Sequence, residues 1–361
     1  MNLKRRILKP MIMKRYLQIA LSALLIALVS VPFNSYAGNE QRAGSAGAGE
    51  LLINPWARSA GWGGINTAGA RGVEAVFLNV AGTAFTERTE LVFSHTDWFG
   101  DADINVDAFG FTQRVGETGA LSVTIMAMGF GDIEITTTEL PDGGLGTYSA
   151  TYLNLGVSYA KKFTENIYGG VTVKLISHSL PDLNAAGVCF DAGIQYVTGE
   201  KDNIKFGIGL KNVGPAMSFQ GDGLSLSLPT LFGNFDATVE QRSSNFELPS
   251  LLNIGGSYDF LWTDTRLTAA ANFTSNSFTR DQIGAGLEFS YKEWVMLRAG
   301  YVYENEIFDA ATAQTIFSGF NGGLSFEVPL GDSGTTFGID YAYRHTRDFG
   351  GFNTFGAKIS L

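Results

Sequence analysis

Strict alternation of apolar and polar residues dominates the chain from about Glu90 to its end. Near the end, Phe337, Ile339, Tyr341 and Tyr343 alternate with small or polar residues over a stretch of about ten residues. A β-strand points successive side chains to opposite faces, so this pattern predicts strands with one apolar face and one polar face. The chain is therefore expected to be all-β.

The position of the charges separates two kinds of all-β protein. Lys205 and Lys211 share a face with glycines, whereas Phe206, Ile208 and Leu210 form a purely apolar opposite face. A soluble sandwich also alternates, but a barrel with lipid outside and water or a plug inside keeps its charges on the inner face. We therefore predict a transmembrane antiparallel β-barrel of the bacterial outer membrane.

The number and spacing of the segments fit such a barrel. We predict about 14 strands, an even number as in bacterial single-chain barrels. They lie near 89–98, 104–115, 119–129, 150–161, 166–177, 188–197, 203–212, 250–260, 265–275, 281–291, 294–303, 319–328, 335–345 and 351–361. Short connections such as 116–118 are expected on the periplasmic side and long ones, such as 130–149 and 212–249, outside.

The first residues predict export. A basic start, the apolar run Leu17–Val31 and Ser35-Tyr36-Ala37 form a signal peptide over residues 1–37, with Met13 as an alternative start. The alternative of a retained anchor is disfavoured because the run is shorter than the roughly 20 residues of a membrane helix. Cys189 is the only cysteine, so the sequence predicts neither a lipid anchor nor a disulfide.

Charge and composition exclude several classes of function. Removing the signal peptide takes six of 25 basic residues and none of 35 acidic ones, which leaves a mature net charge of −16. Nucleic acid is therefore excluded as a partner. The 45 glycines and 27 phenylalanines, with almost no long apolar run, are atypical of a soluble α/β enzyme.

Residues 38–88 do not follow the strand pattern and precede the barrel domain, 89–361. This glycine- and alanine-rich segment is either a periplasmic extension or a plug inside the lumen, and we favour the plug because inward-facing charges are available to hold it. The predicted luminal charges are Arg114, Lys174, Asp191, Asp259, Arg266, Glu288, Arg298, Glu327, Asp340, Arg344 and Lys358.

No motif in the sequence predicts catalysis, a metal or a cofactor. Asp101, Asp103 and Asn105 have the spacing of a calcium loop, but the required glycine and glutamate are absent. The three histidines, His95, His178 and His345, are predicted near strand ends as interfacial polar residues. Two glycine-rich stretches, 61–64 and 69–72, lack the Lys-Ser or Lys-Thr of a phosphate loop.

The long connection 212–249 is predicted to be a working surface. Connections well beyond about 12–15 residues are usually functional or disordered. Alternation of leucines with serines predicts a hairpin with an apolar face, which either docks a protein partner or caps the barrel mouth. The candidate partner-binding residues are Leu224, Leu226, Leu228, Leu231, Phe232 and Phe235.

Several blocks together resemble the PorV/PorQ family, which is itself related to fatty-acid transporters of the FadL type. These blocks are Glu50–Ile53, Ala57–Gly64, Asn66–Ala68, Gly72–Asn79, Phe93–Trp98, Leu155–Thr164 and Glu247–Ser250. One departure is Asn79-Val80-Ala81-Gly82, where the family usually has proline in second place. The resemblance implies a FadL-like barrel acting with the type IX secretion system, without catalytic residues.

Two functions follow from this resemblance. The first is to receive secreted cargo proteins and pass them, with other secretion components, to a surface attachment complex. The alternative is a FadL-like transporter that binds a hydrophobic small molecule. In both, outer-membrane lipid surrounds the barrel.

Overall fold

Fourteen antiparallel strands close into a barrel in the computed structural model, which describes residues 40–99, 102–229, 235–331 and 334–361. The strands are β1 Thr89–Phe99, β2 Ile104–Val115, β3 Gly119–Gly129, β4 Thr151–Lys162, β5 Ile167–Leu180, β6 Leu183–Thr198, β7 Ile204–Val213, β8 Leu251–Leu261, β9 Thr265–Asn276, β10 Gln282–Tyr291, β11 Val295–Glu304, β12 Phe317–Pro329, β13 Thr336–Thr346 and β14 Phe352–Ser360.

Each strand pairs with its neighbours along the chain, and β14 pairs with β1 from Glu90↔Ser360 to Asp97↔Asn353. The predicted closed barrel and its strand number are confirmed. One boundary differs, because β6 begins at Leu183 and not near 188. The residues after Leu183, Asn184–Gly187, have small side chains and so lack the large apolar groups by which the sequence pattern identifies a strand.

The two faces of the wall have opposite polarity. On β7, Phe206, Ile208 and Leu210 are exposed on the outside, whereas Lys205 and Lys211 are buried inside. A barrel with an apolar outer face and polar inner face is stable only with lipid around it. The chain is an outer-membrane protein.

The N-terminal segment, residues 40–88, contains short helices. They are the 3-10 turns Glu40–Arg42, Gly49–Leu52 and Val80–Phe85 and the helices α1, Ala57–Ala60, and α2, Ala75–Leu78. None of the helices in the described part of the chain is long and apolar enough to cross a membrane. The predicted signal peptide, 1–37, lies outside the described residues.

The segment packs directly on the inner wall. A Cβ added to Gly61 would lie 2.9 Å from the Cα of Gly323 on β12, so only glycine allows this approach. Trp62 is buried, and a Cβ on Gly286 of β10 would lie 2.9 Å from its ring. Small residues on both sides therefore let the two backbones approach.

Two hairpins extend the long connections. Ile133–Glu134 pairs with Thr147–Tyr148, and Ser225–Pro229 pairs with Asp236–Glu240 after a 3-10 turn at Asp222–Leu224. The second matches the alternating leucines of the sequence. Its candidate residues Leu231 and Phe232 fall outside the described residues, as does Asp101 of the calcium-like stretch.

Candidate functional site

Arg58 of α1 joins the N-terminal segment to the wall by charge. Its Nη2 lies 2.8 Å from Glu327 Oε2 on β12, and its Nε lies 3.2 Å from Asp340 Oδ1 on β13. These carboxylates raise the pKa of Arg58 well above its usual value, although burial opposes them. Glu327 and Asp340 were among the predicted luminal charges, whereas Arg58 was not.

Most other predicted luminal charges pair with one another along the wall and not with the segment. Lys174 Nζ lies 2.5 Å from Asp191 Oδ2, and both Arg266 and Arg298 contact Glu288, at 2.9 Å and 2.5 Å. The remaining wall pairs are Lys205 with Asp259 at 2.5 Å and Lys358 with Glu327 at 3.0 Å. The structure thus brings most of the predicted set together as a charged lining.

Two predicted luminal charges lie outside this charged lining, although Arg344 does face the lumen. Arg114 is exposed at the end of β2, where it donates to the carbonyl of Glu117 in the β2–β3 turn. Arg344 lies near the extracellular end of β13, with its guanidinium carbon 3.8 Å from the centre of the Phe317 ring. The alternation gives the face of a residue correctly but not its height along the barrel.

Glu74 is a buried carboxyl that the sequence did not single out. It accepts a hydrogen bond of 2.9 Å from the backbone N–H of Ser59, which holds the start of α2 against α1. Burial, and then the charge of Asp340, raise the pKa of Glu74 to about 7. Its environment also contains Arg58, Arg298 and Lys358, which act in the opposite direction.

A second buried pair ties the segment to β5. His178 Nε2 lies 2.9 Å from Glu50 Oε1, and both side chains are almost fully buried. The ring of Tyr152 stacks on His178 at 3.9 Å between ring centres. His178 is therefore a core residue and not the interfacial residue that its strand position predicted.

The three histidines lie on different strands, β1, β5 and β13, and do not share a metal or catalytic site. His95 pairs with Asp107 at 2.8 Å on the outer wall, and His345 Nδ1 lies 2.7 Å from Ser318 Oγ on β12. Among the described residues, no cluster of histidine, cysteine and carboxylate side chains has the arrangement of a metal site.

One region of the extracellular half of the lumen, beside β1, β3 and β14, is apolar, although Arg344 and the Glu50–His178 pair lie in the same half. Trp98 stacks on Phe352 at 4.3 Å between ring centres, and Phe317 packs on the edge of Phe352 at 5.7 Å. Met126 and Met128 of β3 belong to the same buried cluster. Inward-facing positions of outer-membrane barrels are usually polar, so this lining is a departure from the general pattern.

A small cavity of about 50 Å³ borders this cluster, between the segment and β3–β5. Its apolar walls include Leu51, Trp56, Phe77 and Met126. A larger cavity of about 570 Å³ opens at the opposite, charged end and reaches the short turn at Lys201. The lumen therefore contains an apolar region near its extracellular end and a charged cavity at its periplasmic end.

The hairpin of the long connection stands in solvent. Leu226 and Leu228 are each 49% exposed, and Phe235 is 63% exposed, while Leu224 is half-buried. These predicted partner-binding residues therefore present an apolar surface outside the barrel.

No protein-family model and no curated protein matches the chain. Solved barrel structures do match. The CymD monoaromatic hydrocarbon channel aligns with a TM-score of 0.54 and 16% identity, over 85% of this chain and 97% of that one. The toluene transporter TbuX of Ralstonia pickettii aligns with a TM-score of 0.51 and 14% identity, over 85% and 97%.

A FadL homologue of Pseudomonas aeruginosa aligns with a TM-score of 0.49 and 12% identity, over 83% of this chain and 96% of that one. At such low identity the shared property is the fold. The chain is an outer-membrane β-barrel of fourteen strands with the fold that CymD and TbuX share.

Proposed function

We propose that this protein carries small hydrophobic molecules across the outer membrane. The observation that carries the proposal is the aromatic and methionine cluster that lines one region of the extracellular half of the lumen, around Trp98, Phe352, Met126 and Met128. Such a lining offers nothing to a hydrated solute. It matches an apolar ligand by burial of surface, and methionines adapt to ligands of different shape.

The structural neighbours support the same class of solute. CymD is described as a monoaromatic hydrocarbon channel and TbuX as a toluene transporter. We propose that the ligands of this protein are monoaromatic compounds. The aromatic faces of Trp98 and Phe352 suit a flat ring, whereas the cavity of about 50 Å³ beside Trp56 and Phe77 would have to widen to hold one.

The N-terminal segment acts in this proposal as a plug that prevents open diffusion. It contacts β12 and β13 through Arg58 and contacts β5 through Glu50. Passage then requires local movement of the segment, because the interface that it forms with the wall is closely packed.

Binding to the purified protein tests the proposal. Toluene should quench the fluorescence of the buried tryptophans saturably, and the double change Met126→Gln/Met128→Gln should weaken binding at least about tenfold, since it places two amides in the apolar lining. The matched control is Met296→Gln, because Met296 is equally buried but faces the charged cavity. Equal affinity in wild type and double variant, or quenching without saturation, would contradict the proposal.

A second candidate function is docking of a protein during secretion, as the PorV/PorQ resemblance implies. The observation that favours it is the exposed apolar hairpin with Leu226 and Leu228. Its partners would be secreted cargo proteins and other secretion components. The comparisons provide no direct support for this candidate, so we rank it second.

A further inference from the structure

A pair of ionisable side chains lies on the outer wall, where lipid is expected. His95 of β1 and Asp107 of β2 face each other across the strand pair, with 2.8 Å between Nδ1 and Oδ1. Both are substantially exposed. They alternate with buried neighbours such as Ser94, Val106 and Ala108, which face the lumen.

Polar residues extend this pair into a patch over three adjacent strands. Asp97 follows His95 on the outward face of β1, opposite Asn105 of β2 and Asn353 of β14. The amide oxygen of Asn353 accepts a hydrogen bond of 2.7 Å from the hydroxyl of Tyr341 on β13. We name His95, Asp97, Asn105, Asp107 and Asn353 the polar patch.

The His95–Asp107 pair of the polar patch lies within the height of the membrane, whereas Asn105 and Asn353 are the second residues of β2 and β14 and lie next to its outer surface. Leu91, the outward residue near the periplasmic end of β1, precedes His95 by four residues. With a rise of about 3.3 Å per residue and a strand tilt of about 40°, His95 lies roughly 10 Å above Leu91. The apolar band of outer-membrane barrels is about 25 Å tall, so the His95–Asp107 pair lies inside it.

The rest of the described outer wall is different. Its mid-strand outward positions carry apolar residues, either small ones such as Ala271 and Ala285 or the large Val173, Ile194, Ile208, Ile254, Ile283 and Leu297. Lys161 and His345 are other ionisable residues on outward strand positions, and each is next to a strand end, where the membrane surface is near. Charged groups on a lipid-facing wall are destabilising and usually mark function.

We propose that the polar patch is an intramembrane docking surface for a second protein that presents basic or amide side chains to Asp97 and Asp107. Carboxylates only accept hydrogen bonds, so the complementary surface must supply donors, and within a membrane a cationic donor is the best match. The apolar residues Phe93 and Phe109 beside the polar patch provide the flat surface around it.

The charges disfavour two other occupants. In a two-fold dimer of this chain the same surface meets itself, so two patches that each carry two carboxylates would share one interface and their net charges would repel. Lipid acyl chains would leave the His95–Asp107 pair in hydrocarbon, and anionic headgroups would be repelled by the carboxylates.

Site-specific quenching distinguishes these occupants without knowledge of the partner. A fluorophore is attached at Phe109→Cys, next to the polar patch, or at the control Ile254→Cys, in a background where the buried Cys189 is alanine. The wild-type side chains are similarly exposed, 44% for Phe109 and 46% for Ile254, and β8 lies across the barrel from β1. Lipids with a quencher on the acyl chain are added to native outer membranes or to phosphatidylcholine vesicles that contain this protein alone.

In native membranes we expect the label at position 109 to be quenched several-fold less than the label at 254, whereas both are quenched equally in vesicles. The change His95→Leu/Asp107→Leu, which makes the wall more apolar and leaves the lumen untouched, should raise quenching at 109 to the level at 254. Asp107→Lys should do the same by repelling a cationic partner, and Asp107→Glu should not.

Three results would overturn the proposal. Equal quenching of both labels in native membranes would show that lipid covers the polar patch. Shielding at 109 in vesicles would identify a second copy as the occupant. Shielding in native membranes that survives both patch variants would show that the partner binds elsewhere.

Discussion

At the scale of single residues, charge in the lumen has two separate roles. Pairs such as Lys205–Asp259 join one strand to the next, whereas Arg58 joins the N-terminal segment to β12 and β13. The Asp340 carboxylate is almost fully buried, and the guanidinium of Arg58 contacts it. Loss of Arg58 therefore leaves a buried carboxylate without its guanidinium partner.

Changing Arg58 to methionine should destabilise the folded protein by about 3 kcal/mol. The reason is that the buried carboxylate of Asp340 keeps its charge but loses the cation that compensates for its removal from water. The measurement is the unfolding midpoint in detergent micelles. Arg42→Met is the control, since the Arg42–Glu247 pair is largely exposed and should contribute at most about 1 kcal/mol. A similar small effect of both changes would argue against a fastening role for Arg58.

Glu74 predicts how pH acts on the segment. Its pKa in the folded protein is about 7, above the usual value of 4.5, so folding favours the protonated carboxyl. The stability associated with this proton is complete below about pH 4.5 and is lost as the pH rises through 7. Attachment of α1 should therefore weaken between pH 5 and 8, as measured by a fall in the protection factor of the Ser59 amide, its intrinsic exchange rate divided by its observed rate at each pH.

Glu74→Gln should remove this pH dependence, because the amide oxygen still accepts from Ser59 and does not ionise. The exposed Glu117→Gln change in the β2–β3 turn serves as the control and should leave the pH profile unaltered. If the profile is the same in Glu74→Gln and wild type, another group controls it, with Asp340, Arg298 and Lys358 the nearest candidates.

At the scale of elements, the hairpin Ser225–Pro229/Asp236–Glu240 separates docking from capping. Leu226→Ser/Leu228→Ser should abolish crosslinking to a protein partner on intact cells, because it removes exposed apolar area that a partner would bury. The barrel should stay folded and heat-modifiable on gels. Leu330→Ser is the control, since Leu330 is 50% exposed on a short connection at the other end of the barrel.

A different result would support the capping role of the hairpin. If crosslinking survives while the cells become leaky to small antibiotics, the hairpin caps the barrel mouth. The docking interpretation of the hairpin should then be dropped. The intramembrane polar patch lies on the barrel wall, so its own test does not depend on this result.

At the scale of the whole molecule, the N-terminal segment and the wall together determine whether the barrel is an open pore. Intact protein in planar bilayers should conduct weakly, because the segment packs on the wall from β5 to β13. Deleting residues 45–86 should raise the conductance sharply. Arg58→Met should produce brief openings if the deletion variant does not fold.

Large, steady conductance from the intact protein would contradict this expectation. In that case the segment does not close the lumen, and the charged cavity of about 570 Å³ would belong to a continuous aqueous path. Transport of apolar molecules through the apolar region would then need a different explanation.

The sequence by itself determined the barrel. Period-two alternation is a local property of each strand, so residues such as Phe206 and Lys205 could be assigned to their faces without knowledge of their neighbours. The even strand count followed from the same pattern, whereas loop lengths alternate only in part, since two residues join β5 to β6 on the side of the long connections. The limit of the pattern is height along the axis, which explains why Arg114 lies at a turn and not in the lumen.

Only the tertiary structure decided what the inner and outer surfaces do. The Arg58–Asp340 contact joins residues 282 positions apart, and the Glu50–His178 contact joins residues 128 positions apart. Closure of the barrel places β14 beside β1, which turns isolated polar residues into one polar patch and isolated aromatics into one luminal cluster. Such pairings depend on the exact strand register, and the alternation within one strand determines only which face each residue takes, so shifts of register by two residues satisfy it equally well.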